Sequence, residues 1–266
     1  MPPPLVMGVI NVTPDSFSDG GRHLAPENAL AHARKLIAQG ADILDIGGES
    51  TRPGAEPVDE AEELARTVPL IAAIRAESAM TISIDTMKPA VARAAVAAGA
   101  GMWNDVSALR FAPDAPAVAA ELGCQVVLMH MLGEPRTMQN APVYGDVIAE
   151  VEAFLLARAE AAMAAGVARG KIWFDPGVGF GKTLEHNLAL LRGLPRLASH
   201  GFPVLLGASR KRFIAAIDPE ARDPADRLGG SLAVALAGAR AGVAAVRVHD
   251  VRETRQALAV QAAIAD

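Results

Sequence analysis

Apolar residues along the chain fall into two alternating kinds of run. Short runs of β-branched and aliphatic residues span Leu5–Ile10, Asp42–Ile46, Thr81–Ile84, Gly101–Trp103, Gln125–Met129, Lys171–Phe174, Pro203–Leu206 and Ala245–Val248. Most lack polar alternation, the pattern of strands covered on both faces. Between them lie longer Ala-rich amphipathic stretches that predict helices over Pro26–Gln39, Glu60–Arg75, Lys88–Ala98, Ala115–Leu122, Val147–Ala165, Leu184–Leu197, Arg227–Ala241 and Glu253–Ala263. Gly40, Gly99, Gly166 and Gly242 stand where four of them should stop. Eight strand–helix units in 266 residues match a single-domain (β/α)₈ TIM barrel over residues 1–266. An open doubly wound sheet is the alternative, but eight evenly spaced units exceed its usual count.

Composition narrows the class without changing the fold. The chain is 51% hydrophobic and 21% charged, which excludes disorder, and its net charge of −5 argues against general nucleic-acid binding. A single cysteine, Cys124, suits a reducing cytoplasm rather than a disulfide framework. The start of the chain has no basic region typical of a secretory signal. The longest apolar stretch, Leu232–Val246, is interrupted by Arg240 and glycines, so no membrane span is expected.

A barrel carries its chemistry where strands end. Those positions here hold Asn11, Glu49-Ser-Thr-Arg52, Asp85, Asn104-Asp105, His130, Asp175, Ser209-Arg-Lys211 and Arg247-Val-His249. The run starts offer only Asp42, Gln125 and Lys171. Asp85, Asp175 and Asn104 have three open roles: metal ligands, acid–base groups, or acceptors for a ligand's amino groups. No His or Cys spacing accompanies them, so a flat nitrogen-rich heterocycle suits them better than a metal cluster. Lys211, Arg247 and His249 end the last two strands, the quarter of a barrel where phosphate sites form. Arg210 and Arg212 taken singly read as solvated surface charge.

The segment Asp175-Pro-Gly-Val-Gly-Phe-Gly-Lys-Thr183 nearly matches a phosphate-binding Walker loop, but the required first glycine falls on Pro176, which excludes that reading. Its glycines instead suit a close approach of backbone and Phe180 to a ligand. Two further loops, 12–21 and 47–55, mix Gly and Pro with hydroxyls and charges, the makeup of lids. Phe17 in such a loop suits a lid over an aromatic substrate.

Taken together, Met7–Gly21, Asp45–Gly54, Ile84-Asp-Thr86, Asn104-Asp105, Phe174–Lys182, Ser209-Arg-Lys211 and Arg247–Asp250 resemble the dihydropteroate synthase family over nearly the whole chain. The resemblance implies a homodimeric barrel that joins 6-hydroxymethyl-7,8-dihydropterin diphosphate to 4-aminobenzoate with Mg²⁺, releasing diphosphate in folate synthesis. Family members are targets of sulfonamides, which imitate the aminobenzoate. By position it assigns Asp85, Asn104, Asp175 and Lys211 to the pterin. Asn11 falls to Mg²⁺ and the diphosphate, with Thr51, Arg247 and His249 also at the diphosphate. Phe17, Pro53, Phe180, Ser209 and Arg212 frame the aminobenzoate, whose carboxylate would meet the start of the helix after Lys211. Asp19 and Arg52 close over the reacting centre, and with Lys211, Arg247 and His249 form the implied catalytic set. Met87, Leu132, Glu134 and the bulky Ala108–Phe111 depart from the usual pattern without touching these positions.

Two rivals follow from the same residues. A methyltetrahydrofolate–corrinoid methyltransferase shares a similar pterin site but needs no diphosphate cations. An inactive homologue acting as a binding module would show damage in the loops or the cation cluster, and none is visible.

Overall fold

In a computed structural model, residues 2–12, 25–51, 54–133 and 137–265 are described. Among the described residues eight strands alternate with helices: β1 Leu5–Asn11, β2 Ile43–Gly47, β3 Thr81–Asp85, β4 Met102–Asp105, β5 Gln125–Met129, β6 Ile172–Asp175, β7 Leu205–Gly207 and β8 Ala245–Val248. The helices are α1 Ala25–Ala38, α2 Glu60–Glu77, α3 Pro89–Ala97, α4 Ala115–Leu122, α5 Val147–Ala164, α6 Leu184–Ala198, α7 Arg212–Ile217, α8 Leu228–Arg240 and α9 Val251–Ala265. The strands pair in parallel in the order β6-β5-β4-β3-β2-β1-β8-β7. The Phe174 N–H donates to Pro203 O at 2.9 Å, and a Phe174–Val204 bridge brings β6 against β7. The sheet is therefore a barrel and not an open doubly wound sheet.

Expected and observed strand boundaries differ in a consistent way. Several expected runs stop at the last apolar residue, whereas the strands run on through Asn11, Asp85, Asp105 and Asp175. The backbone ladder does not depend on side-chain polarity, so functional residues sit on the last rung itself. At the other end β7 loses Pro203, which has no N–H to donate, and its ladder begins at Leu205. The helix expected from Arg227 begins at Leu228, after a 3₁₀ turn over Pro224–Arg227, because Arg227 turns inward to donate to the carbonyls of Ala221, Arg222 and Arg210.

A period of two sorts each strand between two cores. One set, including Val6, Ile10, Leu44, Ile46, Ile82 and Ile84, packs outward on the helices. The other, including Met7, Ile43, Met102, Val127, Trp173 and Leu205, fills the barrel. Two residues beyond Ile43, Met102, Trp173 and Ala245 stand Asp45, Asn104, Asp175 and Arg247. The same alternation that builds the apolar plug therefore points these polar groups inward, one layer closer to the mouth. The opposite end is structural: Asp42 accepts from Val6 N–H at 2.8 Å and from Arg255 Nη2 at 2.5 Å. Among the described residues no helix is long and apolar enough to cross a membrane.

Candidate active site

The floor of the mouth is a buried ion network. Arg247 donates through Nε to Asp45 Oδ2 at 2.6 Å and through Nη2 to Asp85 Oδ2 at 2.7 Å. Asn104 Nδ2 donates to the same Asp45 oxygen at 3.2 Å. Asp45 Oδ1 and Asp85 Oδ1 are buried with no hydrogen-bond partner among the described residues. An unpartnered buried acceptor is costly, and two on one floor mark a place where a ligand's donors belong. Burial pushes the Asp85 carboxyl up to about 7; Arg247 works against this shift and Asp45 adds to it. Burial opposes the charge of Arg247, but Asp45 and Asp85 outweigh it and raise its pKa.

Asp175 forms the second wall. Its Oδ1 accepts from Gly177 N–H at 2.7 Å. Its Oδ2 and the Arg247 stem flank Gly207, where a Cβ would stand 3.6 Å and 3.8 Å from them. Burial raises the Asp175 carboxyl, and Lys211 draws it back. Lys211 caps α7 from the β7 exit; its ammonium donates to Val178 O and lies 4.5 Å from the centre of the Phe180 ring. Burial lowers the Lys211 ammonium to about 8 despite the opposing pull of Asp175. The Gly-rich segment is pressed onto the β5 exit. Gly177, at φ +65°, would place a Cβ 1.8 Å from His130 O, and Gly181, at φ +64°, one 2.8 Å from Leu132 O. Both the left-handed backbone and the contact demand glycine.

The expected site residues therefore gather in part. Asp85, Asn104, Asp175, Lys211 and Arg247 meet on the floor, with Phe180 beside Lys211. Asn11 ends β1 next to Gly47, its Oδ1 3.8 Å from where a Gly47 Cβ would stand, in company with Asp85 Oδ2 at 3.7 Å. His249 Nδ1 lies 3.1 Å from Ser209 Oγ, joining the β8 and β7 exits. Thr51 lines a cleft of about 570 Å³ with Glu49, Ser50, Met87, Lys88 and Arg110. Arg212 is exposed, on a helix of only six residues. Asp19, Phe17, Arg52 and Pro53 lie outside the described residues.

Sequence reasoning missed Asp45, the fully buried acceptor for both Arg247 and Asn104. A carboxylate on the inward phase of an otherwise apolar strand was the available signal. It also missed Lys182, whose Nζ lies 2.9 Å from His130 Nδ1, and the buried triad in which Lys88 Nζ meets Glu49 and Glu63 at 2.5 Å each. Burial lowers Lys182 to about 7, with Lys211 adding to the effect.

The expected Mg²⁺ can be tested against these groups. Asn11 supplies one half-buried amide oxygen that no described residue hydrogen-bonds. Among the described residues no three His, Cys, Asp or Glu side chains form a cage for a metal ion. One neutral oxygen suits a hard cation that keeps its waters and shares a substrate's phosphate oxygens, so the residues fit Mg²⁺ in that form.

This parallel barrel, whose rim presents buried carboxylates and an amide beside a cluster of cations, matches over residues 7–249 the family model described as pterin binding enzyme. A dihydropteroate synthase of Synechocystis is 48% identical over 251 residues, 94% of this chain and 86% of that protein. Xanthomonas albilineans dihydropteroate synthase with 4-aminobenzoic acid superposes with a TM-score of 0.93 at 50% identity, covering 99% of this chain and 94% of that one. The same enzyme in complex with 7,8-dihydropteroate gives 0.89 at 48% identity over the same shares. The chain belongs to the dihydropteroate synthase family and is an enzyme of that kind. The corrinoid-methyltransferase and inactive-module alternatives are set aside.

Proposed function

We propose that the chain condenses 6-hydroxymethyl-7,8-dihydropterin diphosphate with 4-aminobenzoate, forming 7,8-dihydropteroate and diphosphate. The observation that carries this reading is the floor: Asp85 Oδ1 is a buried acceptor without a donor among the described residues, and Asn104 and Asp175 flank the same mouth. A pterin's ring N–H and amino groups supply the missing donors. The similar structures with 4-aminobenzoic acid and with 7,8-dihydropteroate support the choice of substrates.

In this reading the bond between the pterin methylene carbon and the diphosphate oxygen breaks, and its electron pair leaves with diphosphate. The amine of 4-aminobenzoate then bonds to that carbon and loses a proton to solvent. Asp85 and Asp175 hold the ring, and their negative charge favours the cation that the conjugated pterin delocalises. Arg247 is anchored by Nε and Nη2 and keeps Nη1 for the departing oxygens, beside His249 at the next rung. Such a preorganised contact is worth about 3 kcal/mol in the transition state. Mg²⁺ held by Asn11 and the diphosphate would neutralise charge on the leaving group. Phe180 and the Ser209–Arg212 segment face the second substrate, Thr51 serves the diphosphate, and a site closed to water keeps the cation from being trapped.

The test is diphosphate release by the purified protein with the pterin diphosphate, with and without 4-aminobenzoate and Mg²⁺. Release coupled to dihydropteroate formation is expected, and no release with all components present would overturn the assignment. A dissociative step predicts that bond-breaking rates barely respond to the nucleophilicity of substituted anilines; a strong response would mean direct displacement.

A further inference from the structure

The segment between β6 and α6 is held in an unusual way. Four successive carbonyls each accept a hydrogen bond from a side chain. Val178 O takes Lys211, Gly179 O takes Gln139 Nε2 at 2.7 Å, Phe180 O takes Lys182 Nζ at 2.9 Å, and Gly181 O takes the Tyr144 hydroxyl at 2.9 Å. The Gly179 N–H donates to Asn187 Oδ1 at 2.7 Å. A surface loop normally leaves such groups to water. This one is braced from the β5 exit, the β7 exit and α6 at once.

Lys182 is the odd member of the brace. Gln139 and Tyr144 do the same work with neutral groups. Lys182 is 3% exposed, and among the described residues no carboxylate pairs with its ammonium. Its donors go instead to Phe180 O and to His130 Nδ1, 2.9 Å away, with His130 O at 3.4 Å. A buried cation without a contacting counter-ion is destabilising, so stability alone does not account for a lysine here. What it secures is the backbone of Phe180, the residue whose ring stacks against Lys211 at the mouth.

We propose that Lys182 is a positioning residue for the second substrate. By clamping the Phe180 carbonyl to the β5 exit, it fixes the aromatic wall against which the planar amine rests. This rests on the reading above in which Phe180 frames the aminobenzoate.

The experiment compares Lys182→Met, Phe180→Ala, the double variant and Tyr144→Phe. It reads KM for 4-aminobenzoate at saturating pterin diphosphate, and pterin diphosphate affinity by calorimetry. Loss of the hydrogen bond that orders the wall should raise the aminobenzoate KM about tenfold in Lys182→Met. Pterin affinity should change less than about threefold, because the charge of Lys182 reaches Asp175 only at a distance. In the Phe180→Ala background the Lys182 substitution should add nothing, a coupling that a general structural role would not produce. Tyr144→Phe removes one hydroxyl and should move KM the same way by a smaller factor, which keeps the brace testable if Lys182→Met does not fold. Additive effects in the double variant, equal losses for both substrates, or an unchanged KM in Tyr144→Phe overturn the proposal. An unchanged KM in Phe180→Ala overturns the aminobenzoate assignment itself, and a raised one beside a normal Lys182→Met overturns only the role of Lys182.

Discussion

Arg247→Met tests the floor directly, because it keeps the stem of the side chain and deletes the guanidinium. That group holds two carboxylates at 2.6 Å and 2.7 Å, and Asp45 and Asp85 each already have one oxygen without a partner among the described residues. Removing one member of a buried, hydrogen-bonded ion network typically costs about 3–5 kcal/mol, which for a chain of this size lowers the melting temperature by roughly 10 °C. The loss should depend on pH in a defined direction. Asp85, pushed up by burial to about 7 with Arg247 holding it down, rises further once that cation is gone. The native variant then takes up a proton that the unfolded chain does not hold, so the penalty is greatest above the raised pKa and shrinks as pH falls. Urea unfolding followed by circular dichroism at pH 8.5 and pH 5.5 should show a larger deficit at the higher pH than at the lower. Adding Asp85→Asn should recover part of it. Turnover should fall on the order of a hundredfold. A deficit below about 1 kcal/mol at pH 8.5, where a buried pair should lose several, or one equal at both pH values, would refute the claim that Arg247 neutralises the floor.

Three further outcomes follow from the same geometry. Asp175→Ala should weaken the pterin diphosphate far more than 4-aminobenzoate in calorimetric titrations; equal losses would remove Asp175 from the pterin wall. Gly177→Ala forces a Cβ to within 1.8 Å of His130 O at φ +65°, and strain plus overpacking should destabilise by about 2–5 kcal/mol in urea melts. In the parent enzyme the raised carboxyl of Asp85 makes its contribution to stability fullest below the unfolded value near 3.8 and lost as pH rises through about 7. Asp85→Asn should therefore flatten the fall in melting temperature between pH 4 and pH 8, and an unchanged slope would contradict the shift.

The helices and strands of this barrel are local matters, and the chain declares them locally. Short unalternating runs rich in β-branched residues suit strands covered on both faces, and Gly40, Gly99, Gly166 and Gly242 follow the helices they end. Asp85, Asn104 and Asp175 were legible for the same reason: a polar residue directly after an apolar run stands at a strand end, and in a parallel barrel all strand ends share one rim. Asp45 was harder because it lies inside its strand, and only the inward phase of β2 separates it from a buried accident.

Pairing across the barrel is what sequence could not supply. Arg247 reads as a free cation for phosphate, yet 202 positions separate it from the Asp45 that binds it. Lys182 reads as the tail of a glycine motif, and only the seating of that segment on the β5 exit turns its ammonium toward Phe180 and His130. Local pattern determines which groups reach the rim. Which of them neutralise one another and which remain for a ligand depends on distances of a few ångströms between strands far apart in the chain, and those exist only once the barrel has closed.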